Sequence, residues 1–113
     1  MQVMKNKIEE FRKHCADIHL DIFNAIVSLM NKHNTNNVCC DLSDTPIIIF
    51  DSNCSDNIHT LDEIILCDND NIKFGCSSCY SNTYVYINDL DIELLIEVYE
   101  WIVENENEIF NEN

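Results

Sequence analysis

The chain has almost no glycine or proline: of 113 residues, one is Gly75 and one is Pro46. This scarcity excludes the glycine-rich loops with which P-loop and dinucleotide-binding proteins cradle phosphates. Basic residues are also scarce beyond position 32, because residues 33–113 contain Lys73 alone against 17 acids. The whole chain has a formal net charge of −15, which repels nucleic-acid phosphates and anionic membranes. We therefore expect neither direct nucleic-acid binding nor membrane binding.

Long apolar runs are missing as well. No run approaches the ~20 apolar residues that span a bilayer, and the first thirty residues lack a signal-peptide cleavage site. The seven cysteines are an odd number, which argues against a complete set of intramolecular disulfides. We expect a cytoplasmic protein with reduced cysteines. The length and the 46% apolar composition fit one globular domain, residues 1–113.

The first third of the chain predicts one long helix over residues 2–33, because apolar residues recur there at steps of four and three. They are Met4, Ile8, Phe11, Cys15, Ile18, Ile22, Ala25 and Leu29. From Ile22 the apolar face broadens, so we expect the second half of the helix to lie in the core. The narrow seam from Met4 to Ile18 is expected to pair with the C-terminal helix, with a second copy of the chain, or with a partner.

Short apolar runs separated by turn residues follow over 38–87 and predict an antiparallel meander of four to five strands. Thr60-x-x-Glu63 matches a helix capping box, but so few residues follow before the turn that a strand is favoured. Asp91 is a good N-cap for a last helix over 91–108. The predicted class is α+β, with both helices packed on the same face of the sheet.

Five glutamates follow one face of the last predicted helix: Glu93, Glu97, Glu100, Glu104 and Glu108. With Asp68 and Asp70 of a predicted hairpin turn, they indicate a surface that binds another protein through a basic patch. A narrower hypothesis is nucleic-acid mimicry, the strategy of small acidic phage and mobile-element inhibitors, in which carboxylates occupy the basic groove of a nucleic-acid-binding protein. The alternative is that the acidic residues serve only to keep the protein soluble.

Cys76-x-x-Cys79 is the only paired-cysteine motif in the chain. Redox catalysis would need a helix N-terminus at the first cysteine, but a strand-like sequence follows. Structural zinc would need two more ligands, and the candidates Cys39 and Cys40 are neighbours on a predicted strand that point to opposite faces. The favoured interpretation is two small residues at a turn eased by Gly75, with no metal or cofactor.

No catalytic motif is recognisable, so we predict a non-enzymatic protein-binding module. One alternative is a structural or oligomerisation module that forms a homodimer through the seam of residues 4–18. A further alternative is a small structural zinc protein. His14 and His19 flank the seam with Asp17 and Asp21, and we interpret this group as solvated or interfacial.

Overall fold

The structure is a computed structural model. It describes residues 2–40, 42, 44–49, 58–77 and 82–110. The first helix, α1, runs over Gln2–Lys32, as the apolar spacing predicts. Asn34 ends it in the left-handed conformation, with φ of 54°, while the Thr35 N–H donates to the Met30 carbonyl at 3.0 Å. This is the Schellman arrangement, in which asparagine is one of the few side chains that tolerates a positive φ.

One antiparallel sheet follows. Its strands are β1 (Asn37–Cys39), β2 (Ile47–Ile49), β3 (Ile58–Leu66), β4 (Ile72–Ser77) and β5 (Asn82–Tyr86). The central strand is β3: β4 pairs along one edge, and β1 and β2 share the other edge at different heights. Strand β5 pairs with the far side of β4. The α+β class with an antiparallel sheet is therefore confirmed.

The β3–β4 hairpin is closed by turn chemistry. The Cys67 N–H donates to the Asn71 carbonyl at 2.8 Å, and Asp70 has a positive φ of 56°. This agrees with a short hairpin loop whose last residue is left-handed. Thr60 lies within β3 rather than at a helix start, so the strand interpretation was correct. The polar residues 51–57, which separate two of the predicted strands, lie outside the described residues.

The C-terminal region contains a 3₁₀ turn, Ile87–Asp89, and two helices, α2 (Ile92–Glu104) and α3 (Glu106–Phe110). Asp91 caps α2 as predicted, because its carboxylate accepts from the Leu94 N–H at 3.0 Å. The prediction of one continuous helix over 91–108 is wrong. Asn105 interrupts it, because its backbone has φ of −113° and ψ of 22°, away from helical values. Its side-chain amide donates to the Trp101 carbonyl at 2.9 Å.

The core lies between one face of the sheet and the helices. Along β4, Ile72, Phe74 and Cys76 are buried, whereas Lys73 lies on the opposite face. The helices contribute Ile22, Ile26 and Met30 from α1 and Leu95, Val98, Trp101 and Ile102 from α2. Both helices pack on the same sheet face, as expected.

The N-terminal part of α1 does not enter this core. Every residue from 4 to 14 is exposed, and we call this segment the helical arm. Its apolar side chains Met4, Ile8 and Phe11 are 64%, 45% and 64% exposed. The expectation that the C-terminal helix of the same chain covers this seam is therefore wrong for the arm.

Candidate functional site

A groove of about 550 Å³ lies between α2 and the segment that leads into β2. We call it the acidic groove. It is lined by Asp44, Thr45, Pro46, Glu93, Ile96, Glu97, Glu100, Trp101 and Glu104. Steps of four, three and four residues keep the four glutamates on one face of α2. Burial of the opposite face, including Leu95 and Val98, fixes that stripe outward.

The carboxylates of the acidic groove are not neutralised within the described structure. All four of its glutamates and Asp44 are exposed. The ion pairs among the described residues both involve Glu106, which lies outside the groove. Every lysine and arginine of the chain lies on α1 or β4. The groove therefore presents concentrated negative charge that a cationic partner would complement.

Apolar side chains lie among these carboxylates. Ile96 is half-buried, Pro46 is buried, and Trp101 is only 7% exposed. The Trp101 indole Nε1 has no hydrogen-bond partner among the described residues, an arrangement that typically costs about 1–3 kcal/mol. Since Trp101 is the only tryptophan in the chain, all tryptophan fluorescence comes from this side chain at the boundary of the groove and the core.

The remaining predicted partner-binding residues do not join the groove. Glu108 is exposed but lies on α3, beyond the interruption at Asn105. Asp68 and Asp70 are exposed in the β3–β4 loop. The groove meets β3 near its start, where the Leu61 N–H donates to the Pro46 carbonyl at 3.3 Å. Asp68 follows Leu61 by seven positions of strand and turn, which separates the two regions by roughly 20 Å.

Sequence reasoning missed Asp44, Pro46, Ile96 and Trp101 as groove residues. Asp44 and Pro46 belong to a stretch whose composition indicates only a turn. Ile96 and Trp101 have the spacing of ordinary core positions in an amphipathic helix. The groove arises where the 44–46 segment runs alongside α2, and no local pattern encodes that contact.

A polar cluster joins the end of α1 to α3. The Glu106 carboxylate accepts from Lys32 Nζ at 3.0 Å and hydrogen-bonds His33 Nε2 at 2.8 Å. The His33 ring also stacks on Phe110, with centroids 4.6 Å apart. The hydrogen bond with His33, followed by that from Lys32, lowers the pKa of Glu106 below its ordinary value. This cluster links α3 to the end of α1, beside the core contacts of Ile109 and Phe110.

Cys76, the first cysteine of the Cys76-x-x-Cys79 motif, lies in an environment that disfavours a reactive thiolate. Cys76 faces the core at 1% exposure. Burial, and then the nearby charge of Asp62, raise the pKa of its thiol to about 12. Redox chemistry uses the thiolate, which this environment disfavours. Cys79 lies outside the described residues.

The other cysteine candidates are also apart from any metal cluster. Cys39 is exposed and Cys40 is buried, so the two neighbours occupy opposite faces as expected. Within the described ranges, no group of three or more His, Cys, Asp or Glu side chains is arranged to hold a metal ion.

Gly75 does not ease a turn, contrary to the sequence interpretation. It lies inside β4, where it pairs with Glu63 on one side and Tyr84 on the other. A Cβ at this position would approach the Glu63 Cβ to 2.8 Å and Tyr84 Cε1 to 3.3 Å. Glycine is therefore required by the close approach of side chains across the outer sheet face.

The groove can bind a cationic, partly apolar surface through its carboxylates, with the exposed parts of Ile96 and Trp101 as the apolar contact. None of the helices in the described part of the chain has the length and apolarity needed to cross a membrane. No protein-family model, no curated protein and no solved structure matches the chain.

Proposed function

We propose that the protein is a non-enzymatic binding module whose acidic groove receives a basic, amphipathic segment of a protein. The observation that carries the proposal is the row of four glutamates on α2, unpaired among the described residues, beside Ile96 and the nearly buried Trp101. If the acidic residues served only solubility, we would not expect them to be concentrated beside apolar side chains in one groove. Charge would steer the partner to the groove, and Ile96 with the exposed edge of Trp101 would add an apolar contact.

The dimensions of the groove favour a helical partner. Glu93 and Glu104 are 11 residues apart on α2, which corresponds to ~16 Å, or about three turns, at 1.5 Å per residue. A short helix laid along α2 matches this length, and helix-in-groove binding is a common recognition mode.

Nucleic-acid mimicry is the narrower form of this proposal. Along its axis, α2 presents one groove carboxylate per ~5 Å, whereas one DNA strand presents one phosphate per ~3.4 Å of helix axis. The apolar groups of the groove also have no counterpart in a phosphate row. Mimicry predicts that a nucleic-acid-binding protein can no longer bind nucleic acid while the acidic groove occupies its basic surface.

The proposed setting is the cytoplasm. Free thiols at Cys15, Cys39, Cys67 and Cys76 suit a reducing compartment. The zinc alternative gains no support from the described cysteines, because the Cys76 thiol lies in the core. The oligomerisation alternative has one observation in its favour, the exposure of Met4, Ile8 and Phe11 on the helical arm.

Titration with two synthetic helical peptides tests the proposed function. Both peptides carry leucine at heptad a and d positions; one has lysine and the other glutamate at the flanking positions. We expect the lysine peptide to change the emission of Trp101 saturably, and the glutamate peptide to leave it unchanged. The triple variant Glu97→Lys, Glu100→Lys, Glu104→Lys should lose the response while its circular dichroism remains that of the wild type.

A matched variant controls for net charge. Asp68→Lys, Asp89→Lys and Glu108→Lys alter the charge equally, at exposed positions outside the groove. This variant should retain peptide binding to within about threefold, because distant exposed charges are screened. Equal loss of binding in both triple variants would show that diffuse charge, and not the groove, attracts the peptide.

A further inference from the structure

The helical arm combines the two properties that the acidic groove would select. It exposes the apolar row Met4, Ile8 and Phe11. It also contains four of the six lysine and arginine residues of the chain: Lys5, Lys7, Arg12 and Lys13. No described residue of the same chain covers this row, so the chain presents both a basic amphipathic helix and an acidic groove.

Charges on the arm are ordered around its apolar row. At 100° per residue, Lys5 and Arg12 lie on one flank of the row and Lys7 lies on the other. The acids Glu9 and Glu10 lie farther round, toward the back of the helix. A surface that covers the apolar row would therefore meet a basic rim.

This basic rim disfavours pairing of the arm with an identical arm. In a parallel pair, Lys7 of one copy would face Arg12 of the other, because flanking positions five residues apart meet across such a seam. In an antiparallel pair, the flank that carries Lys5 and Arg12 in one copy would face the same flank of the other copy. Both arrangements bring like charges together, which is destabilising. The arm therefore suits an acidic partner surface better than a second arm.

The acidic groove has the matching charge and is long enough to hold the arm. The row from Met4 to Phe11 advances by seven residues, about 10 Å along the helix, and the glutamates from Glu93 to Glu104 extend over ~16 Å. We infer that the helical arm of one copy docks in the acidic groove of a second copy, with Ile8 and Phe11 beside Ile96 and Trp101 and the basic rim along the glutamates. This inference rests on the proposed function, because it uses the same groove and names its occupant.

The contact must form between chains. The arm is continuous with the buried half of α1, since one unbroken helix runs over Gln2–Lys32. It therefore points away from the body and does not fold back into its own groove. If both copies exchange arms, the result is a closed two-fold dimer; exchange in one direction only produces an open chain of copies.

Analytical ultracentrifugation of full-length variants tests the inference. The wild type should associate with rising protein concentration, and added salt should weaken the association. Ile8→Glu with Phe11→Glu, on the arm, should raise the dissociation constant at least about tenfold. The matched variant Asn6→Glu with Leu20→Glu adds the same charge at exposed positions off the apolar row and should change it by less than about threefold.

Mixing two defective variants separates the inferred contact from symmetric arm pairing. The arm variant (Ile8→Glu, Phe11→Glu) keeps its groove, and the groove variant (Glu97→Lys, Glu100→Lys, Glu104→Lys) keeps its arm. Each should be monomeric alone, and the mixture should form a one-to-one complex that changes Trp101 emission. A mixture that stays monomeric, or a groove variant that still associates with itself, would overturn the inference.

The peptide titration distinguishes this failure from failure of the proposed function. If the lysine peptide binds the groove while the wild type remains monomeric at all concentrations, self-docking is wrong and the binding module stands. If neither the lysine peptide nor a second copy changes Trp101 emission, both are wrong. If the complementing variants associate but the lysine peptide does not bind, the groove is specific for the arm, and the inference is supported.

Discussion

The two halves of α1 have the same heptad spacing but opposite environments. Ile8 lies on the arm and is 45% exposed, whereas Ile22, two heptads later, is 7% exposed in the core. The difference comes from the residues that flank the seam. Around Ile8 they are charged, whereas around Ile22 they include Phe23 and Ile26. Heptad spacing thus indicates a helix, and the width of the apolar face indicates how much of that helix the chain itself buries.

Charge is also distributed unevenly between the arm and the rest of the molecule. The arm holds most of the basic residues, and residues 33–113 hold 17 of the 21 acids. One end of the protein is therefore a basic helix without a described partner, and the other is an acidic body with a groove. This separation supports attraction between unlike ends of two copies rather than between like ends.

Alanine substitution at the two matched isoleucines should have the largest effect. Ile22→Ala should lower the free energy of unfolding by about 2–5 kcal/mol, because it leaves a cavity in the core. Ile8→Ala should change it by less than about 0.5 kcal/mol, as for other exposed positions. Both substitutions raise helix propensity equally, so the difference isolates burial. Urea unfolding at low protein concentration measures both values, and similar values would mean that the arm is covered in solution.

Glycine substitution at the two alanines of the chain asks whether the arm unfolds with the body. Ala25→Gly lies in the core-packed half and should destabilise the whole protein by about 1 kcal/mol. Ala16→Gly, at an exposed position just beyond the arm, should reduce helical circular dichroism more than it reduces global stability. The arm is short and exposed, and a helical segment of this kind is only marginally stable by itself.

Amide hydrogen exchange provides a second measurement on the Ala16→Gly and Ala25→Gly variants. Amides of residues 4–14 should exchange through local opening with little protection, and those around Ile26 should approach the global unfolding free energy. If Ala16→Gly instead lowers the stability of the core amides as much as Ala25→Gly does, the two halves fold as one unit, and the distinction between arm and body fails.

Most of the fold was predictable because it depends on local patterns. The seam predicts α1, the alternation of Ile72, Lys73 and Phe74 predicts β4, and Asp91 predicts the start of α2. The interruption at Asn105 was missed because the apolar spacing continues past it. The interruption is a change of backbone conformation at Asn105 alone, and asparagine does not indicate it because this residue is compatible with a helix interior at a modest cost.

The candidate site was predictable only in part. Glutamates on one helix face follow from their spacing, so four of the seven predicted partner-binding residues do line the groove. The groove itself depends on where the segment with Asp44 and Pro46 passes α2, which is a contact across roughly half the chain. Asp68 and Asp70 share the acidic charge but lie at the other end of β3, because composition does not reveal position in three dimensions.

The smallest expected effect concerns the cluster at the C-terminal end of α1, compared with an unpaired glutamate on the arm. Hydrogen bonds from His33 and Lys32 lower the pKa of Glu106 in the folded state, so its contribution to stability is present above the ordinary pKa of 4.5 and is lost as pH falls through the folded value. Glu106→Gln should therefore slightly lower the urea concentration at the midpoint of unfolding near neutral pH. The difference from the wild type should become smaller at acidic pH. Glu10→Gln, an exposed carboxylate with no ion pair in the described structure, should show no comparable shift at neutral pH. An equal shift in both variants would mean that the cluster does not hold α3 and that only net charge is being measured.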